Sequence, residues 1–299
     1  LATSVGTVRL RNPVMAASGT AGHGAELGAY VDLASLGGVV VKSLSAQPWA
    51  GNPPPRLHGA GPGMLNAVGL QGPGVAAWVE HDLPTLLRAG ATVVASIWGR
   101  TIEEYGEAAA LLAGVPGITA VEVNLSCPNL EGGRHLFAHD PTATGAAVEA
   151  VAACGRPRWA KLSPNTDRLV EVAAAAGDAG AEAVVVANTV LGMVLDLERF
   201  GPVLGNGGGG LSGPAIHAIA VRAVWDLHTA HPDIPIVGVG GVRDAATAVE
   251  LLQAGASAVE VGTATLADPR ATAKVLAGLD RWLAGHDIKA AALVGRAHG

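Results

Sequence analysis

Eight short apolar segments alternate with longer Ala- and Leu-rich segments along the chain, and this alternation limits the possible folds more than any other feature. The short segments are nearly continuous runs of Val, Ile and Ala, as is typical of parallel strands that are covered on both faces. We predict strands at Pro13–Ser18, Gly38–Ser43, Thr92–Ile97, Ala120–Leu125, Trp159–Ser163, Ala183–Asn188, Pro235–Gly240 and Ala258–Thr263.

The segments between these strands have helical periodicity. We predict helices at Gly74–Ala89, Ile102–Ala113, Pro141–Ala153, Asp167–Ala179, Pro214–Ala230, Arg243–Ala254 and Asp268–Leu283. Acidic residues that favour a helix start precede or open three of them, at Asp140, Asp167 and Asp268. The pattern therefore consists of repeated β/α units.

Eight such units in 299 residues favour an α/β fold of the (β/α)8 TIM-barrel type, with residues 1–299 forming one domain. The alternative is a doubly wound sheet, but the turn Ser18–Gly22 is a poor dinucleotide-binding fingerprint. We expect the residues before Asn12 to form a small β-hairpin at the bottom of the barrel. The long connections Leu44–Pro73 and Val190–Gly213 are expected at the carboxyl-terminal face, where barrel active sites lie.

Composition excludes several classes of function. Only 15% of residues are charged, the formal net charge is -6, and no Lys/Arg cluster suggests a nucleic-acid surface. The apolar runs are much shorter than the roughly 20 residues that span a bilayer. Two cysteines cannot form a disulfide framework, so we expect a reducing compartment and a cytoplasmic protein. The histidines have no ligand spacing that indicates a metal site.

Polar residues at the ends of the predicted strands mark the candidate site, because strand ends face the active site of a barrel. These residues are Ser18, Lys42, Ser96, Asn124, Lys161 and Asn188. The alternative for either lysine is a surface side chain with its ammonium in water. Both lysines follow apolar strands in a chain with few charges, which favours a functional role.

Cys127 lies just past the fourth strand in the segment Asn124–Asn129. A lone cysteine is more often a buried structural residue. On a polar loop at the active face, however, a thiol can act as nucleophile or base. We interpret Cys154, which lies at a helix end, as structural.

Glycines follow the last two strands, at Gly238–Gly241 and at Gly262 before Thr263. Loops after strands seven and eight form the phosphate sites of barrels, and glycine allows the backbone to approach the anion closely. Ordinary turn glycines are the alternative. The two strand ends together predict a phosphorylated cofactor or substrate.

Six motifs of this sequence, in this order, resemble those of class 1 dihydroorotate dehydrogenases. The matching segments are Asn12–Gly19, Gly63–Leu70, Asn124–Asn129, Lys161–Asn165, Gly210–Pro214 and Gly238–Gly241. The segment Met64–Leu70 is most similar to class 1B, the catalytic subunit of an NAD-linked enzyme. Ser96 departs from the family pattern, in which Asn is usual, and so does the glycine-rich stretch Gly205–Gly208.

The resemblance implies FMN as cofactor and oxidation of dihydroorotate to orotate in pyrimidine biosynthesis. It implies that Cys127 removes the C5 proton, with Lys42 as the second catalytic residue, while C6 gives hydride to the flavin. The implied substrate-binding residues are Lys42, Asn66, Ala67, Val68, Gly69, Leu70, Asn124, Asn129, Asn188 and Thr189. The implied cofactor-binding residues are Ser18, Lys42, Ser43, Ser96, Asn124, Lys161, Ala187, Gly213, Gly240, Gly241, Gly262 and Thr263.

Class 1B resemblance also implies a partner subunit that carries FAD and a 2Fe-2S cluster, in a heterotetramer; a homodimer is the alternative assembly. Two other functions fit the residues. One is a flavoprotein similar to dihydropyrimidine dehydrogenase, which reduces free bases. The other is a barrel that binds a phosphorylated ligand without catalysis.

Overall fold

The computed structural model describes residues 1–126 and 137–299. Within these ranges, eight parallel strands close into a barrel, and each strand pairs with the next along the chain until the eighth pairs with the first. The barrel strands are Val14–Ala16, Gly38–Val40, Val93–Ile97, Ile118–Asn124, Arg158–Lys161, Ala183–Val186, Ile236–Val239 and Ala258–Val261. The predicted strands and the barrel fold are confirmed.

Helices follow the second to the eighth barrel strands and cover the outside of the barrel, whereas two 3-10 turns, Glu26–Ala29 and Leu33–Ser35, connect the first strand to the second. They are α1 (Val75–His81), α2 (Leu83–Arg88), α3 (Ile102–Leu112), α4 (Pro141–Ala150), α5 (Leu169–Asp178), α6 (His217–Ala230), α7 (Ala245–Ala254), α8 (Thr263–Ala267) and α9 (Ala271–His286). The predicted helix Gly74–Ala89 is divided at Asp82, and Pro84 lies in the first turn of α2. Helix α8 was not predicted, because five residues are too few to show helical periodicity.

One of the three predicted acidic helix starts is confirmed as an N-cap. Asp140 accepts a hydrogen bond from the backbone N–H of Ala143 in the first turn of α4. Helix α5 begins two residues after Asp167, at Leu169, and α9 begins after Arg270. Asp268 instead ends α8 and accepts a hydrogen bond from the N–H of Arg270.

The lower half of the barrel interior is apolar and is closed by the predicted hairpin. Strands Thr3–Val5 and Val8–Leu10 pair antiparallel. Their inward side chains share one buried cluster with Trp159, which is fully inaccessible to solvent. Because the hairpin covers the amino-terminal end of the strands, the polar residues of the interior are concentrated toward the opposite end.

The two long connections form a second, smaller sheet. Its four antiparallel strands are, in spatial order, Val190–Gly192, Gly209–Ser212, Gly63–Asn66 and Leu57–Ala60. A hydrogen bond of 2.8 Å from Thr263 Oγ1 to Ser212 Oγ joins this sheet to the end of the eighth barrel strand. The long connections therefore meet at the carboxyl-terminal face, as predicted.

Across the part of the chain that the structure describes, no helix combines the length and the apolar character needed to cross a bilayer.

Candidate active site

Five predicted residues form a hydrogen-bonded network where the barrel strands end. The hydroxyl of Ser43 lies 2.9 Å from that of Ser96 and 3.3 Å from that of Ser18. Asn124 donates from Nδ2 to Ser43 Oγ over 3.1 Å, and Asn188 donates from Nδ2 to Asn124 Oδ1 over 3.2 Å. These contacts orient two side-chain amides and three hydroxyls toward one end of the barrel interior.

Lys161 lies in the same interior, between two glutamates. Its Nζ is 3.2 Å from Glu122 Oε2 and 3.1 Å from Glu260 Oε2. Ser96 Oγ donates to Glu122 Oε1 over 2.8 Å, which connects this ionic cluster to the hydroxyl network. Lys161 is 6% exposed and both glutamates are fully buried. Burial by itself would lower the pKa of Lys161, but the two carboxylates outweigh it and raise that pKa well above its ordinary value.

Sequence reasoning missed Glu122 and Glu260, although a signal was present. Each is a single acid within an otherwise apolar strand, and such a residue has no reason to be there unless it meets a partner. Glu122 lies two residues before Asn124, so the period of two places both side chains on the same, inward face of the strand. The three residues of the ionic cluster come from the fourth, fifth and eighth barrel strands.

Lys42 lies against the turn that follows the first barrel strand. A Cβ added to Gly19 would be 3.6 Å from Lys42 Nζ, and the backbone N–H of Lys42 donates to Gly22 O over 3.0 Å. Burial lowers the pKa of His23 on the same turn, and the charge of Lys42 lowers it further. The Lys42 ammonium is thus positioned near the mouth of the barrel.

Asn66 and Thr189 meet at Gly210 in the small sheet. Asn66 Nδ2 donates to the carbonyl of Gly210 over 3.2 Å. The side chain of Thr189 occupies the space that a Cβ at residue 210 would need, so only glycine fits there. Asn188 Oδ1 accepts from the N–H of Thr189 over 2.8 Å, which connects this group to the amide network.

The segment Ala67–Leu70 follows Asn66 as an irregular loop. Gly69 and Leu70 both have positive φ, of 71° and 62°. The carbonyl of Val68 accepts from the N–H of Asn52 over 3.1 Å, and the N–H of Ala67 donates to Arg56 O over 2.8 Å. The loop is therefore held by backbone contacts.

A cavity of about 600 Å³ lies beside the ends of the seventh and eighth barrel strands. Its lining includes Gly213, Gly241, Thr263, Arg243 and Lys274, together with Asp268, whose carboxylate pairs with the ammonium of Lys274 and leaves one positive charge in excess. Gly241 has a φ of 70°, and a Cβ there would lie 2.6 Å from His217 Cβ and 3.1 Å from Gly213 O. Glycine is therefore required at residue 241, and bare backbone with two cations and a hydroxyl nearby suits a phosphate group.

The remaining predicted cofactor residues border this region. Gly240 and Gly262 directly precede the cavity residues Gly241 and Thr263, and a Cβ on Gly240 would be 2.7 Å from Ala220 Cβ. Ala187 is buried, and its N–H donates to Val239 O over 2.7 Å. Their proximity to the cavity follows from the order of the strands.

Cys127 and Asn129 lie outside the described residues. Cys154 is buried at the end of α4, and burial raises the pKa of its thiol. Among the residues that the structure does describe, no group of three or more His, Cys, Asp or Glu side chains could hold a metal ion.

Comparison with known protein families covers nearly the whole chain. The family model described as dihydroorotate dehydrogenase matches residues 1–283. This chain belongs to that family. It is 48% identical over 299 residues to the protein named dihydroorotate dehydrogenase B (NAD(+)), catalytic subunit, of Desulforudis audaxviator, covering 99% of this chain and 97% of the relative. The resemblance found in the motifs is therefore confirmed.

Two further relatives carry the same name. The protein of Geobacter sp. (strain M21) is 45% identical over 290 residues, which cover 97% of this chain and 95% of the relative. The protein of Citrifermentans bemidjiense is 44% identical over 290 residues, with the same coverage. The similarity extends along nearly the full length of each protein.

Proposed function

We propose that this chain oxidises dihydroorotate to orotate with FMN as its resident cofactor. One observation carries the proposal: two kinds of site lie at the same end of the barrel. The first is formed by the side-chain amides of Asn124 and Asn188 and the ammonium of Lys161. The second is a glycine-lined cavity flanked by cations. A flavin mononucleotide needs both kinds of site, because its ring binds to polar groups and its phosphate binds to an anion site. When bound, FMN would supply the acceptor for the hydride from C6 of the substrate.

The chain's own residues divide the remaining work. Gly213, Gly241 and Thr263 would hold the cofactor at its phosphate, with Arg243 and Lys274 adding positive charge. Lys161 would place a cation beside the negative charge that develops during the reaction.

The substrate is a ring of amides that carries a carboxylate. Side-chain amides of Asn66, Asn124 and Asn188 can both donate and accept, which matches such a ring. Lys42, at the barrel mouth, supplies a positive charge for the carboxylate. Asn129 is a fourth amide on the segment after the fourth strand.

Cys127 is proposed as the base that takes the C5 proton. Its place in the segment after the fourth strand follows Asn124, whose side chain belongs to the amide network. A thiolate is a suitable base near neutral pH because the ordinary pKa of a cysteine lies only one to two units above it.

The test is anaerobic reduction of the FMN-loaded chain. Dihydroorotate should bleach the flavin absorbance, whereas dihydrouracil, which has the same ring without the carboxylate, should not. Bleaching by dihydrouracil with comparable efficiency would replace this function by one on free bases. Failure of the purified chain to bind FMN would remove the flavin from the proposal.

We further propose that NAD is reduced only through a second subunit. The named relatives are catalytic subunits of an NAD(+) enzyme, which supports a partner for electron transfer. This chain has two cysteines, and an iron–sulfur cluster usually needs four thiolate ligands. FAD and a 2Fe-2S cluster would therefore reside on that partner.

A further inference from the structure

The ionic cluster of Glu122, Lys161 and Glu260 contains two acids but only one cation. With all three groups ionised, two carboxylates would share one ammonium, and the cluster would carry a net charge of -1. Both carboxylates are fully buried. An uncompensated charge in a protein interior is so unfavourable that such a group tends to become neutral by taking up a proton.

The hydrogen bonds indicate which acid takes the proton. Glu122 is doubly stabilised as a carboxylate, because Lys161 donates to Oε2 and Ser96 donates to Oε1. Glu260 accepts from Lys161 at Oε2, whereas its Oε1 is buried without a hydrogen-bond partner among the described residues. Glu260 is therefore the acid whose ionised form is poorly supported.

The surroundings of Glu260 also favour its protonated form. The charged groups that face it from the described part of the barrel are Lys161 and Glu122. Its partners on the adjacent strands are the apolar residues Met15 and Val239. Burial raises the pKa of Glu260 to about 8, against the attraction of Lys161 and with the repulsion of Glu122.

Lys161 couples this acid to whatever binds above it. Two of the three N–H bonds of its ammonium are directed at Glu122 and Glu260. One donor is left for a ligand at the strand ends, which is the position that the proposed function gives to the flavin. Added negative charge there would attract the ammonium and disfavour a second ionised carboxylate beside it.

We propose that Glu260 is a redox-linked protonation site, which takes up a proton when the cofactor beside Lys161 gains negative charge. This inference rests on the proposed function for the presence of FMN. The proton comes from solvent: an O–H bond forms at the Glu260 carboxylate, and one O–H bond of a water or hydronium is broken. No electrons pass through Glu260, and the substrate hydride and the proton taken by Cys127 are unchanged.

The potential of the bound FMN, measured against pH by spectroelectrochemistry, tests the proposal. At low pH, where Glu260 is protonated throughout, the parent chain should take up one proton for every two electrons. At and above the pKa of Glu260 it should take up two protons, because Glu260 becomes protonated when the flavin is reduced. At still higher pH, where Glu260 stays ionised, it should take up one proton again. Glu260→Gln keeps the shape of the side chain but cannot ionise. The variant should take up one proton for every two electrons at all pH values. Its flavin potential should equal that of the parent at low pH and should be higher than that of the parent at high pH.

A matched control is Glu182→Gln. Glu182 accepts from the N–H and the hydroxyl of Thr7 near the hairpin, at the opposite end of the barrel. This variant should reproduce the potential of the parent at every pH. A Glu260→Gln potential that is displaced equally at all pH values would indicate a merely structural role and overturn the proposal.

Infrared spectroscopy of the chain without FMN gives an independent readout. A band of a protonated carboxyl group should be present at neutral pH, disappear on titration through the pKa of Glu260, and be absent from Glu260→Gln. Absence of this band from the parent would overturn the proposal.

Two other failures remain distinguishable. If Glu260→Gln does not fold, the parent alone decides, because a constant proton count at all pH values contradicts the linkage. If dihydroorotate fails to bleach the flavin while the potential still shows the extra proton, the proposed function fails and the protonation site stands.

Discussion

The thiol of Cys127 is the side chain on which the proposed chemistry depends most. Cys127→Ser should bind FMN and orotate normally but reduce the flavin about 10²–10⁴-fold more slowly, because a hydroxyl is a much weaker base at neutral pH. Stopped-flow reduction by dihydroorotate measures this rate. In the parent the rate should rise with pH as the thiol ionises, and the serine variant should need higher pH.

The control for this variant is Cys154→Ala. Cys154 is buried in the turn Val151–Cys154, which precedes the amino-terminal end of the fifth strand, so its removal should leave the rate of flavin reduction close to that of the parent. Reduction at the parental rate in Cys127→Ser would remove Cys127 from the mechanism.

The raised pKa of Glu260 also predicts how the free energy of unfolding depends on pH. Its pKa in the folded chain is raised from 4.5 to about 8, so between these values the folded state holds a proton that the unfolded state releases. Its contribution to the free energy of unfolding is therefore fully present below pH 4.5 and is lost as pH rises toward 8. Glu260→Gln should remove this loss, which amounts to about 1 kcal/mol per pH unit at the steepest point.

Urea unfolding of both proteins at several pH values measures this difference. Titrating groups that do not contact Glu260 are common to both chains, so their effects cancel in the comparison, and the difference reports on Glu260 together with its partners Lys161 and Glu122. Parallel stability curves for Glu260→Gln and the parent would show that Glu260 is already ionised in the folded chain.

At the scale of elements, the amino-terminal ends of helices α4 and α5 allow two aspartates to be compared, one that caps its helix and one that does not. Asp140 caps α4 by accepting from the N–H of Ala143, whereas Asp167 lies outside α5 and is exposed. Asp140→Ala should lower the free energy of unfolding by about 1 kcal/mol. Asp167→Ala should change it by less than about 0.5 kcal/mol. Denaturant unfolding checks both, and equal effects would contradict the assigned helix start.

The difference between these two helices shows where pattern reasoning is sufficient. Asp140 precedes Pro141, which is favoured in a first helical turn, so two local signals agree on one start. Asp167 has no such second signal beside it, and α5 begins at Leu169 with Arg168 as its N-cap and without a side-chain capping hydrogen bond.

At the scale of the whole molecule, the prediction concerns the path of electrons out of the barrel. The isolated chain with FMN should reduce artificial dyes with dihydroorotate but produce no NADH from NAD. The reason is that the sequence has neither a convincing dinucleotide fingerprint nor the four thiolates of an iron–sulfur cluster. Absorbance of NADH under anaerobic conditions measures the outcome.

Addition of an electron-transfer subunit should restore NAD reduction. Production of NADH by this chain alone would contradict the need for a partner, and rapid turnover with fumarate would contradict the similarity to class 1B. Dye reduction serves as the internal control, because it shows that the catalytic half-reaction is intact when NAD fails.

The sequence by itself determined the order of strands and helices and the character of the fold. Continuous apolar runs separated by helical periods permit few architectures, and eight of them favour a closed barrel. It also determined which residues lie at or near the carboxyl ends of the strands, such as Ser43, Asn124 and Lys161, because that position depends on local pattern alone. Gly241 was predictable for the same reason, since it lies two residues after the end of the seventh strand.

Only the tertiary structure decided which of these residues contact each other. Lys161 is 39 residues from Glu122 and 99 from Glu260, and Asn66 is 144 from Gly210. No local pattern encodes such contacts, because they depend on the closure of the barrel and on the pairing of two distant loops into one sheet. The charge balance at Lys161 follows from that closure: the buried carboxylate of Glu122 would be costly alone, and it becomes acceptable because the ammonium of Lys161, from another strand, lies 3.2 Å away.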